Sequence, residues 1–208
     1  MPGKSLNGTC EICKASVSKA GMKKHLQTCL KEATGKEKSS TKLFHLLVEG
    51  YGIGEDLYWM HLKALGSTSF RDLDRFLRKT WLECCGHMSA FQDGRSNMRM
   101  NWKLEDVLEP GLKLGYQYDF GSTTELRVTV ISELQGKIKG KVEVLARNDA
   151  PSIKCSECDK PATIICTECI YDERGWLCDD CAENHGCDSG MFLPVVNSPR
   201  AGVCGYEG

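Results

Sequence analysis

The chain has 208 residues, 13 of them cysteine, and a formal net charge of −1. That balance excludes a uniformly basic nucleic-acid binder and a uniformly acidic solvating protein. No apolar run reaches the roughly 18 residues that a membrane-spanning helix needs, so no membrane partner is expected. The opening MPGKSLNGTC has no apolar core of a secretion signal. The expected setting is therefore cytoplasmic and reducing, where cysteines in paired spacing hold metal rather than form disulfides.

Charge is distributed unevenly. Residues 1 to 42 carry nine lysines against three glutamates, whereas residues 151 to 208 carry four basic residues against ten acidic ones. The first segment, residues 1 to 30, contains Cys10-x-x-Cys13 and, eleven residues later, His25-x-x-x-Cys29. A CxxC knuckle presents two thiolates to one tetrahedral ion, and residues four apart on a helix share a face, so the four side chains predict a Cys₃His zinc finger. A unit this small cannot bury enough apolar surface to fold without its metal. Residues 31 to 42, KEATGKEKSSTK, contain nothing apolar larger than alanine and predict a flexible linker that uncouples the finger from the rest.

Residues 43 to 150 predict an α+β domain, a mostly antiparallel sheet with one main helix. LFHLLVEG and LYWMHLKAL, residues 43 to 50 and 57 to 65, are apolar runs separated by the glycines of GYGIGED. Helix signals start at Ser69 with Asp72 three residues on, a variant capping box. Phe70, Leu73, Phe76, Leu77 and Trp81 then follow at helical spacing, as a core-facing stripe does. Residues 116 to 120, 126 to 131 and 140 to 147 alternate with period two, the pattern of half-buried antiparallel strands. Asn148, Asp149, Ala150 and Pro151 mark the boundary to the tail.

The tail, residues 151 to 208, holds Cys155-x-x-Cys158, Cys166-x-x-Cys169, Cys178-x-x-Cys181, His185-x-Cys187 and a late Cys204. Only seven residues separate Cys158 from Cys166, too few for sequential Cys₄ pairing. Interleaving relieves that strain: Cys155, Cys158, Cys178 and Cys181 hold one zinc, and Cys166, Cys169, His185 and either Cys187 or Cys204 hold the second. Cys187, next to His185, is the first choice. Three Zn²⁺ ions per chain are expected, in closed four-ligand sites of the structural kind. This arrangement resembles the cross-brace of B-box and MYND modules.

Trp81, His87, Phe91, LEDVL at 104 to 108 and YQYDFG at 116 to 121 together resemble the pRiA4b-type plasmid open reading frame three family, over residues 43 to 147. The ending NSPRAGVCGYEG is similar to that of a zinc-bearing subset of those proteins. The resemblance implies a plasmid or mobile-element context, loosely linked to resolvases, more than a reaction. Family members commonly continue DFG with Asp, Trp and His. Here Ser122, Thr123, Thr124, Glu125 and Leu126 follow, so no site built on those residues carries over.

No catalytic constellation emerges. Asp119, Phe120 and Gly121 spell DFG without the other kinase motifs, and GYGIG lacks a phosphate-loop frame. Cys84, Cys85 and His87 form the best reactive cluster, but with no further ligands nearby in sequence they read as thiols ending a buried helix. The expected function is a zinc-stabilised interaction or adaptor protein whose partner is a protein. The alternatives are a nucleic-acid-associated protein, with weak non-specific phosphate contacts through the basic first segment, and a thiol or hydrolytic enzyme using the Cys84 to His87 region.

Overall fold

A computed structural model of the chain describes residues 6–34, 41–51, 57–94, 96–172 and 174–208. Half of the predicted linker, residues 35–40, and most of GYGIGED lie outside the described residues. In chain order the elements are β1 (Asn7–Cys10), β2 (Ser16–Ser18), α1 (Lys19–Thr34), β3 (Lys42–Tyr51), β4 (Trp59–Leu65), α2 (Phe70–Leu77), β5 (Ser89–Gln92), β6 (Lys113–Tyr118), β7 (Thr124–Gln135) and β8 (Val142–Asn148). The tail adds β9 (Ile164–Cys166), β10 (Trp176–Leu177), α3 (Asp179–Glu183) and β11 (Phe192–Pro194). The fold is α+β, with an eight-stranded antiparallel sheet in the order β2-β1-β8-β4-β3-β7-β6-β5.

Strand alternation gives the sheet two apolar faces. Phe44, Leu46 and Val48 of β3, Met60, Leu62 and Ala64 of β4, and Leu126, Val128 and Val130 of β7 face the main core, under α2. From α2 and the turn after it, Phe70, Leu73, Leu77 and Trp81 enter the same core, as the helical spacing predicts. The capping box is present: Ser69 Oγ accepts from the Asp72 amide at 3.2 Å, and Asp72 Oδ2 accepts from the Ser69 amide at 3.3 Å. One turn of π-helix, Arg78–Leu82, ends the element. Cys84 and Cys85 therefore do not end a buried helix. They lie in the chain beyond it, Cys84 half-buried and Cys85 exposed.

The opposite face carries α1. Met22, Leu26 and Leu30 pack on Trp59 of β4 and on Leu145 and Ala146 of β8, with Cys10 and Cys29 in the same cluster. The first segment is thus joined to the centre: Gly8, Thr9 and Cys10 pair with Asn148, Arg147 and Ala146. The approach is so close that a Cβ on Gly8 would lie 2.4 Å from the Arg147 carbonyl oxygen and 2.4 Å from the Trp59 ring. The expected uncoupling of finger from centre gives way to a shared sheet. The sequence reading missed this because NGTC has no alternation to mark it as a strand.

Also on this face, His45 and His61 are fully buried, with Nε2 of the first 2.8 Å from Nδ1 of the second. Burial holds His45 down to about 4 and, helped by the charge of His45, His61 to about 3.

Candidate metal centres

The first knuckle is built by a tight reversal after β1. The Lys14 amide donates to the Cys10 carbonyl at 2.8 Å, the Cys10 amide donates to Ala15 at 2.9 Å, and Lys14 takes φ +61°. Helix α1 brings up His25 and Cys29 one turn apart. The contacts are Cys13 to His25 Nε2 at 3.2 Å, Cys29 to His25 Nε2 at 3.6 Å and Cys10 to Cys29 at 4.0 Å. Sulfurs bound to one tetrahedral ion at about 2.3 Å stand about 3.8 Å apart, so this spacing suits a shared cation.

In the tail, β9 pairs with both β10 and β11, and the knuckles hang from its ends. A Cβ on Gly175 would fall 2.4 Å from the Ile170 nitrogen, so only glycine lets β10 return this closely. Cys178 caps α3 and Cys181 sits one turn into it, facing the Cys155–Cys158 knuckle. Cys158 lies 3.6 Å from Cys178 and 3.8 Å from Cys181. Cys166, Cys169, His185 and Cys187 form the next set, with Cys169 and Cys187 3.6 Å apart. The knuckles are interleaved in space.

His185 supplies the most informative single atom. Its Nε2 is buried without a hydrogen-bond partner, while Nδ1 lies 3.4 Å from Glu157 Oε1. A buried, unpartnered ring nitrogen costs free energy unless something ligates it, and a carboxylate on the other nitrogen is the usual way to orient a metal-binding imidazole.

Crowding within each set drives the thiol acidities apart. Backbone donation from Ala15, then contacts with Cys29, lower Cys13 to about 7, whereas burial first and its neighbours next push Cys29 up to about 12. Burial opposes ionisation of Cys155, but amides of Glu157, Cys178 and Cys158 outweigh it and hold the thiol at about 6. Contact with Cys169 and Cys166 pushes Cys187 up to about 12. A divalent cation allows all four members of a set to ligate in their deprotonated form.

Cys204 does not join the tail sites, so the competition with Cys187 dissolves. It lies beside Cys84, Cys85 and His87, a grouping sequence reasoning missed because Cys204 and His87 are 117 positions apart. Among the described residues there are thus four sets of four Cys/His side chains, each with its ligand atoms within 4.8 Å of one another, that could hold metal ions.

The tail's last segment is fastened to the centre by Arg200. Fully buried, it donates to Asp119 Oδ2 at 2.7 Å, Thr124 Oγ1 at 3.0 Å and the Ser122 carbonyl at 3.2 Å, and lies over Tyr118 at 4.8 Å. Ser198 Oγ adds a bond to the Trp81 carbonyl at 2.5 Å. Ser122 and Thr124 thus receive this guanidinium together with Asp119.

No helix among the described residues is long and apolar enough to cross a membrane. No family model matches the chain, and no curated protein matches it. Among solved structures, a protein of unknown function from Methanosarcina mazei Go1 is similar over 51% of this chain and 67% of its own, at 19% sequence identity and a TM-score of 0.43.

Proposed function

We propose that the protein is a zinc-stabilised, cytoplasmic interaction or adaptor protein that binds another protein through its tail. The observation that carries this reading is that each set predicted from sequence brings together four ligand atoms within 4.8 Å. Four donors close a tetrahedral ion and leave no open position for substrate, as in structural rather than catalytic zinc. The metal's contribution is to discharge the crowded thiols and fix the knuckles. The tail offers contact surface: Tyr171 is 65% exposed, and an apolar cleft of about 230 Å³ between tail and centre is lined by Tyr58, Ile153, Tyr171 and Trp176.

In this reading the central domain is of the pRiA4b type, on Trp81, His87, Phe91 and YQYDFG. The alternative is a nucleic-acid-associated protein of a plasmid or mobile element. Its basic surface is reduced by ion pairs of Lys14 with Glu11 and of Lys19 with Glu49. Among the described residues Lys23 and Lys24 stay exposed, and so small a charge cluster gives only weak, strongly salt-dependent phosphate binding.

The test is affinity capture by the intact chain and by Cys178→Ser from lysate with and without nuclease, beside duplex-DNA binding at 50 and 200 mM salt. A protein partner that survives nuclease and is lost with Cys178→Ser supports the adaptor. Sequence-selective DNA binding that persists at 200 mM salt overturns it.

A further inference from the structure

Residues 84 to 87, Cys-Cys-Gly-His, fold into a compact turn after the π-helical turn. Glu83 Oε1 accepts from the Gly86 amide at 2.7 Å and from the Tyr118 hydroxyl at 3.1 Å. Gly86 takes φ +73° with open space around its missing Cβ, which reverses the chain and returns His87 towards the two thiols. Across from the turn, the segment docked by Arg200 presents Cys204 at φ +50°, next to Gly205 at φ +66°. A non-glycine residue in the left-handed region is held there by its surroundings.

We propose that Cys84, Cys85, His87 and Cys204 form a fourth metal site, of the zinc class, that clips the C-terminal segment onto the central domain. Their ligand atoms lie within 4.8 Å of one another, with His87 Nε2 3.3 Å from Cys204 Sγ. Three thiols and an imidazole suit zinc or a similarly soft ion and do not suit calcium or magnesium. The three cysteines of the set are free thiols, none of them in a disulfide.

The outer shell makes the site more than a chance grouping. His87 Nδ1 lies 3.5 Å from Asp119 Oδ1, leaving Nε2 for the ion, the carboxylate–imidazole arrangement that orients a metal-binding histidine. The other oxygen of Asp119 takes the Arg200 guanidinium at 2.7 Å. Asp119 therefore orients the ligand from the central domain and anchors the segment that carries the ligand from the tail. Its own φ of +65° places it at a bend where both contacts are within reach. The Tyr118 ring meets His87 edge-on at 5.7 Å and also carries Arg200 at 4.8 Å. The DFG bend, which leads to no kinase chemistry, and the GVCGY ending acquire one shared role. The site stands apart from the adaptor reading and does not depend on it.

Elemental analysis of the metal-replete full chain tests the proposal. Four zinc ions per chain are expected, falling to three in Cys85→Ser/Cys204→Ser, a variant that alters only the two exposed thiols. Wild type and double variant with the same metal content overturn the proposal. Alkylation by iodoacetamide, mapped by mass spectrometry on the wild type, keeps the test independent of the variant's folding. Cys84, Cys85 and Cys204 should be protected with zinc bound and should react after chelation. Equally fast modification of Cys204 in the metal-replete and chelated protein overturns the site and points instead to a thiol activated by His87.

Discussion

Arg200→Met should detach the C-terminal segment from the central domain while leaving the tail's own knuckles intact. The side chain is fully buried and makes one bond to a carboxylate, Asp119 at 2.7 Å, two charge-assisted bonds to uncharged oxygens and a stacking contact on Tyr118. A bond that involves a charged group contributes about 1.5–3 kcal/mol, while the ring contact contributes about 1 kcal/mol. These terms are not additive, and part of the loss is the cost of leaving Asp119 buried beside no cation. About 3 kcal/mol is therefore expected for Arg200→Met, and about 2 kcal/mol for Asp119→Asn. Because both variants break one contact, the double variant should fall short of their sum by about 1.5 kcal/mol. Urea denaturation of metal-replete protein at pH 7 measures all three. Losses below about 0.5 kcal/mol and a coupling near zero would show that the guanidinium does not hold the segment. Arg200→Lys should recover little, since a single ammonium cannot reach Asp119, Thr124 and Ser122 together.

Cys10→Ser should release one ion and also raise amide exchange across residues 142–148, because Cys10 sits on the strand paired with β8; unchanged exchange there would separate finger from sheet. Gly8→Ala should cost about 1–3 kcal/mol through overpacking against Trp59 and the Arg147 carbonyl, read from the denaturation midpoint. The buried His45–His61 pair predicts acid sensitivity. The folded values, about 4 and 3, lie below the ordinary histidine value, so the unfolded chain binds more protons through the window from about pH 6.5 to 4. The contribution is complete above about pH 6.5 and is lost as pH falls, by up to about 2.7 kcal/mol per pH unit while both titrate only in the unfolded chain. His61→Gln should roughly halve that slope between pH 6.5 and 5; equal slopes for the two proteins would refute the assignment.

Local physics was legible in the sequence and distant pairing was not. The Ser69–Asp72 capping box, the stripe from Phe70 to Trp81 and the alternation of residues 126 to 131 each depend on neighbours within a few positions, and each is present. Short spacing also exposed the tail: seven residues between Cys158 and Cys166 forced the interleaving that brings Cys178 and Cys181 to the first knuckle. The strand at 7–10 went unread because NGTC lacks alternation and its partner, 142–148, lies at the other end of the central domain. The same distance concealed Cys204, and the adjacent Cys84 and Cys85 carry none of the CxxC spacing that marks a knuckle. His185 was found from spacing alone, but the role of Glu157 in orienting it needed the fold.

The pairing of β1 with β8 bears on how the chain is made. Thr9 donates to Asp149 across 140 positions, and one end of the sheet is built by the first two strands of the chain, laid against β8. A ribosome releases residues 7–10 long before residues 142–148 exist, so Cys10 and its three companions emerge ahead of the strand that completes their support. The nascent segment must either capture its metal first and dock afterwards, or wait as an unpaired edge. Such non-local closure slows folding and lengthens the exposure of that edge. Synthesis under zinc limitation should therefore expose this segment to proteolysis during translation, even where the finished protein resists it.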